Sequence, residues 1–125
     1  MNILLQYLSV AGAGALGAVA RLLLGSALSP ASKSFPLATF VINITGTFAL
    51  GYFLTFAAQR SHISETTRLA IAVGFLGAYT TFSTFMAETD SLFQNNFPFK
   101  ALLYLFSSLA LGLLAFRAGI WLAAR

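Results

Sequence analysis

An all-α membrane protein of four transmembrane helices is the fold class the sequence predicts. Three observations predict it. Of the 125 residues, 58% are hydrophobic and only 8% are charged. A soluble domain carries about 25% charged residues, so lipid is the expected main solvent. Four long apolar stretches follow one another, and the links between them are too short for a soluble domain. The chain, residues 1–125, is therefore expected to form a single four-span domain.

A helix needs about 20 mostly apolar residues to cross the hydrocarbon core. The stretches that qualify are Ile3–Leu28, Phe35–Ala58, Thr66–Thr89 and Pro98–Ala124. The first lacks the basic leader of a signal peptide and exceeds the usual 7–15-residue apolar core, so a permanent span is expected. Pro36 suits a first helical turn. Ser64 is placed to cap the third helix, and Asn96 the fourth.

The formal net charge is +4. The basic residues stand at the ends of the apolar stretches, which suits membrane anchoring and not nucleic acid. Arg60, Arg68, Arg117 and Arg125 fall on one side; Arg21, Lys33 and Lys100 fall on the other. Excess Lys and Arg normally fixes which loops stay in the cytoplasm. So even a balance allows insertion in both orientations, which is the expectation; a weakly biased protein with one fixed orientation is the alternative.

Cysteine is absent, which excludes disulfides and thiolate sites. His62 is the one histidine and reads as a solvated link residue. No nucleophile, base and metal constellation is present, so the chain is not expected to be an enzyme. Small residues four apart recur at Ala13/Gly17, Gly14/Ala18, Thr47/Gly51, Gly74/Ala78, Ser108/Gly112 and Ala115/Gly119. Such pairs let helix backbones approach closely. Four helices leave little interior for a solvated path, so assembly between subunits is expected.

Polar groups inside the membrane are costly and usually functional. Thr39, Asn43 and Thr47 share one face of the second span. Asn43 reads equally as a hydrogen bond between helices or as part of a pathway. Tyr104 and Ser108 form a second polar pair on the fourth span, for which a hydrogen bond between helices is the preferred reading. Arg21 lies roughly five turns into the first span, where it either snorkels to the interface or lines an aqueous vestibule. Glu88 and Asp90 are expected near water at the end of the third span.

The third span has the least ordinary sequence, from Gly74 to Phe85. Its glycines and clustered hydroxyl residues weaken a helix. A break is predicted near Gly77–Thr81, with freed carbonyls able to hold a small cation; the alternative is a helix that merely bends, its hydroxyls bonded back to the preceding turn. Phe82 and Phe85 follow on one side. A phenylalanine ring has a positive edge, which an anion can approach without meeting a full charge. Hydroxyls of Ser83, Thr84, Ser108 or Tyr104 can add hydrogen bonds.

Three motifs together resemble the CrcB/Fluc fluoride channel family: Gly14-Ala15-Leu16-Gly17-Ala18-Val19-Ala20-Arg21; Thr39-Phe40-Val41-Ile42-Asn43-Ile44-Thr45-Gly46-Thr47-Phe48; and the Gly74–Phe85 run. The resemblance spans all four helices. It implies an antiparallel dual-topology homodimer in the bacterial inner membrane that passes fluoride passively out of the cell. It implies that Asn43, Phe82 and Phe85 line the pore, with Thr39, Ser83, Thr84, Tyr104 and Ser108 along the polar track. Arg21 would be the vestibule arginine. Main-chain carbonyls of Gly77 and Thr80 from both subunits would hold a structural sodium ion (Na+). Ala78 stands where many members have a second glycine. The rival reading is a small multidrug-type dual-topology transporter. It needs a carboxylate in the first span, and Ile3–Leu28 has none. A non-transporting scaffold leaves the Thr80–Phe85 run unexplained.

Overall fold

The computed structural model describes residues 2–32 and 34–125. Lys33, counted in the charge balance above, lies outside them. Helix α1 spans Ile3–Leu28. Asn2 caps it, its side-chain oxygen accepting from the amides of Leu4 (3.1 Å) and Leu5 (3.4 Å). A 3-10 turn, Ser29–Ser32, follows. Helix α2 spans Leu37–Ala58, beginning after Pro36 and not at Phe35. Pro36 occupies the cap position, and the Ser32 hydroxyl receives the Ala38 amide at 3.0 Å.

The third span begins with α3, Glu65–Leu69, whose cap is Ser64 as expected; its side chain accepts from the Thr67 amide. Residues Ala70–Leu76 are wound as a π-helix, so the Gly77 amide reaches back to the carbonyl of Ala72. Helix α4 is Gly77–Tyr79, and α5 is Phe82–Gln94. The span thus runs to Gln94, beyond the expected end at Thr89. Its last turns are polar and carry their own support: the Gln94 side-chain amide donates to the Asp90 carboxylate at 2.6 Å. Helix α6 spans Pro98–Ala123. Asn96 does not cap it. Phe97 holds the cap position, and Asn96 turns the chain with φ 62°. That left-handed conformation is one asparagine tolerates better than most residues.

Four helical stretches are long and apolar enough to cross a membrane: Ile3–Ser32, Leu37–Ala58, Glu65–Gln94 and Pro98–Ala123. Among the described residues there is no strand. The buried interior is thin, with Ile42, Leu76, Phe85 and Tyr104 as its large side chains. Leucines such as Leu22, Leu23 and Leu113 face outward, as suits a helix whose solvent is hydrocarbon.

Close packing within the chain rests on glycine. A Cβ on Gly17 would strike the Phe75 carbonyl, and one on Gly74 would come within 2.8 Å of the Val10 carbonyl. These two glycines let α1 lie against the π-helical segment. Gly51 faces the Phe116 backbone and Gly119 the Phe48 backbone with similar intimacy, joining α2 to α6. Small-residue pairs that suggested contact between subunits thus pack one chain against itself. At the link after α2, the Arg68 guanidinium donates to the carbonyls of Ala57 (2.5 Å) and Arg60 (3.2 Å), serving acceptors the helix end leaves open.

Candidate functional site

Between α4 and α5 two residues leave the helical region. Thr80 has φ −79°, ψ 159°, and Thr81 has φ −149°, ψ 120°. Both are β-branched, and each hydroxyl serves the backbone. Thr80 donates to the Leu76 carbonyl at 3.0 Å. The Thr81 hydroxyl accepts from the Thr84 amide at 3.2 Å, capping α5. Extended backbone in a membrane protein must find polar partners away from lipid. Asn43 supplies them. Its Nδ2 donates to the Thr81 carbonyl at 2.9 Å, and its Oδ1 accepts from the Thr81 amide at 2.8 Å. The Thr81 amide therefore serves α2 and not the Gly77 carbonyl, its partner in an uninterrupted helix.

An open cleft of about 440 Å³ lies beside this pair, with Asn43, Thr81, Phe82, Phe85 and Ser108 in its walls. The reciprocal bonds fix the Asn43 amide, so the second Nδ2 hydrogen is the group left for the cleft. Ser108 carries a buried hydroxyl with no hydrogen-bond partner among the described residues. Phe82 and Phe85 meet edge to face at 6.1 Å and 68°. Phe85 in turn meets Tyr104 at 4.9 Å and 80°. Phe85 is 4% exposed, whereas Phe82 is 70% exposed on the single chain. Polar side chains and aromatic rings with no carboxylate among the lining residues make this cleft hospitable to a small anion.

A second cleft, of about 490 Å³, shares Thr81 with the first and is lined by Arg21, Thr39, Thr84 and Glu88. A third, of about 530 Å³, shares Glu88 with the second and includes Ser91, Asn95 and Lys100. Each cleft thus shares one lining residue with the next, Glu88 and then Thr81. Thr39 and Tyr104 both donate to the Glu88 carboxylate, at 2.8 and 2.7 Å.

The structure thus distributes the residues singled out in the sequence. Asn43, Phe82, Phe85 and Ser108 share the first cleft. Arg21, Thr39 and Thr84 share the second. Tyr104 is buried behind Phe85, at Glu88. Ser83 is exposed and lies 3.4 Å from the Thr81 hydroxyl. Gly77 is exposed, and a Cβ there would meet only the Ala72 carbonyl, at 3.7 Å. Glu88, expected near water at the end of the third span, is the residue whose role the sequence did not give. It is half-buried between α2 and α6 and not simply at a watery end. The one available signal is that Thr39 and Tyr104 each need a polar partner inside the membrane, which does not single out Glu88.

A family model described as "CrcB-like protein, Camphor Resistance (CrcB)" matches residues 8–120. A Moorella thermoacetica protein named "Fluoride-specific ion channel FluC 1" is 47% identical over 118 residues, covering 94% of this chain and 84% of its own length. "Fluoride-specific ion channel FluC" of Acidobacterium capsulatum is 47% identical over 119 residues, covering 94% and 92%. "Fluoride-specific ion channel FluC 2" of Clostridium acetobutylicum is 42% identical over 116 residues, covering 92% and 95%.

Proposed function

Since the chain belongs to the CrcB family, we infer that it is a fluoride-specific ion channel of the bacterial membrane. It lets fluoride that entered as the neutral acid leave passively, which lowers cytoplasmic fluoride. The observation that carries this reading is the first cleft, whose walls hold the Asn43 amide, Ser108 with its buried, unpartnered hydroxyl, and two phenylalanine rings, with no fixed charge among them. A fluoride ion must shed tightly held water to enter it. Weak donors at several points replace that water in part, and no full positive charge is there to trap the ion. Arg21 lines the adjoining cleft and raises the local anion concentration before entry.

The pathway is assigned to Asn43, Phe82, Phe85 and Ser108, with Ser83, Thr84, Thr39 and Tyr104 along the polar track and Arg21 in the vestibule. The channel is an antiparallel dual-topology homodimer. Two features support a partner: Phe82 stands 70% exposed at the rim of an open cleft, and the basic residues balance between the two sides. The extended pair lies near mid-membrane, where the third span is broken.

A structural sodium ion at the two-fold axis is the remaining element. The donor set fits it. The Gly77 carbonyl has lost the Thr81 amide to Asn43, and the Thr84 amide turns to the Thr81 hydroxyl and away from the Thr80 carbonyl. Two such carbonyls from each of two subunits suit a small monovalent cation. A divalent ion would ask for carboxylates and retained waters. Bound there, the cation would neutralise backbone acceptors that lipid cannot satisfy. Gly77 and Thr80 would hold it.

Expression in bacteria stripped of their own fluoride exporter tests the function. Growth in fluoride should be restored by the wild-type chain. Unchanged fluoride sensitivity, with the protein present in the membrane, would count against it.

A further inference from the structure

Asn43 holds only one end of the extended pair. The other end is held by a second set of contacts that the fluoride pathway leaves unused. The Tyr79 and Thr45 hydroxyls lie 2.9 Å apart. Thr45 also lies 2.7 Å from the Val41 carbonyl, to which it donates. Its proton is thereby committed, so Tyr79 is the donor in the pair. The Tyr79 ring stacks on Phe75 at 6.2 Å and 8°, which limits where its hydroxyl can go. Beside Thr45 in the chain is Gly46, which is buried. A Cβ there would collide with the Thr80 γ-methyl and come within 2.9 Å of the Tyr79 ring. The Thr80 hydroxyl is turned toward Leu76, and its methyl fills the space Gly46 leaves. Within one turn of α2, then, Asn43 grips Thr81, Gly46 seats Thr80 and Thr45 receives Tyr79.

We propose that Tyr79 and Gly46 are positioning residues, which fix the backbone path of Thr80 and hence the direction of its carbonyl. This rests on the reading of Thr80 as a cation ligand in a fluoride channel. A carbonyl ring binds a small cation only when its oxygens are held at the right distance, and Thr80 has no helical hydrogen bond to hold its own. The Tyr79–Thr45 bond and the Gly46 seat replace that restraint. Phe75 keeps the ring stacked whether or not the hydroxyl is present.

The test is fluoride efflux from liposomes containing the full-length channel, measured across a range of sodium concentrations. Tyr79→Phe keeps the ring and removes the donor. Thr45→Val keeps the shape and removes the acceptor. Each should lower efflux and raise the sodium needed for half-maximal rate, by about two- to tenfold, the range set by one neutral hydrogen bond. The double variant should be no worse than either alone. Gly46→Ala should be severely impaired, and adding Thr80→Ser, which removes the colliding methyl, should restore part of the efflux. Wild-type rate and sodium dependence in Tyr79→Phe would overturn the proposal, whatever becomes of Gly46→Ala. Additive losses in the double variant would overturn it as well. A wild-type channel indifferent to sodium overturns the cation reading instead. The positioning role is then decided on rate alone, and an unimpaired Tyr79→Phe rejects it.

Discussion

Asn43 and Thr81 exchange two hydrogen bonds, at 2.9 and 2.8 Å, across residues that no helix claims. One side chain thereby satisfies both backbone groups of Thr81 and keeps a single hydrogen for the cleft. The same asparagine is a brace between α2 and the third span and, in the proposed pathway, a donor toward a passing anion. The two roles are inseparable, because the brace fixes which amide atom faces the cleft.

Asn43→Asp is the sharpest substitution for this relationship. The carboxylate would set an oxygen against the Thr81 carbonyl and present negative charge to the cleft. Fluoride efflux should vanish. Thermal stability should fall too, by about 1–3 kcal/mol for a buried acceptor left unpaired. Full efflux at wild-type stability would show that neither role is real.

The two phenylalanines should respond differently to isoleucine, which keeps apolar bulk and loses the quadrupole. Phe85 is buried and packed edge to face on Tyr104. Phe85→Ile should therefore lose flux and also about 0.5–1.5 kcal/mol of stability. Phe82 is exposed on the single chain. Phe82→Ile should lose flux while the chain's own melting temperature holds. Efflux and thermal denaturation in detergent measure both, and unchanged efflux in either variant removes that ring from the pathway.

At Gly77 the chain itself has room for a side chain, since a Cβ would meet only the Ala72 carbonyl at 3.7 Å. Damage from Gly77→Val beyond the small cost of a β-branched residue in a helix is then expected from the proposed second subunit or cation. We expect loss of dimer and of efflux with helical content retained. Replacing sodium by a large organic cation should reproduce the loss in the wild type. Crosslinking and circular dichroism distinguish these results from simple misfolding, and a fully active Gly77→Val would dismiss the two-fold site.

Reporters fused after Arg125 should register on both faces of the membrane, because the basic residues barely favour either side. Several lysines added to one link should bias insertion and lower activity by starving one orientation. A signal from one face alone would remove dual topology.

The span positions and the Ser64 cap were legible in the sequence, because hydrophobic runs and capping chemistry are local. The weakness of the third span near Gly77 was legible for the same reason. Other features depend on residues far apart in the chain. Nothing around Asn43 states that its partner is Thr81. Nothing around Glu88 states that Thr39 and Tyr104 will converge on it. The extra turns to Gln94 looked like a link because polarity at a membrane surface resembles a loop, while the Gln94–Asp90 pair supports a helix. Asn96 was read as a cap, though asparagine serves left-handed turns equally well.

Conduction of fluoride itself is the central claim, and efflux from liposomes holding the purified protein tests it most directly. With an ionophore to balance charge, fluoride should leave rapidly, passively and without a proton gradient, while chloride is retained. Equal efflux of the two halides, or fluoride retained as in protein-free vesicles, would contradict the account.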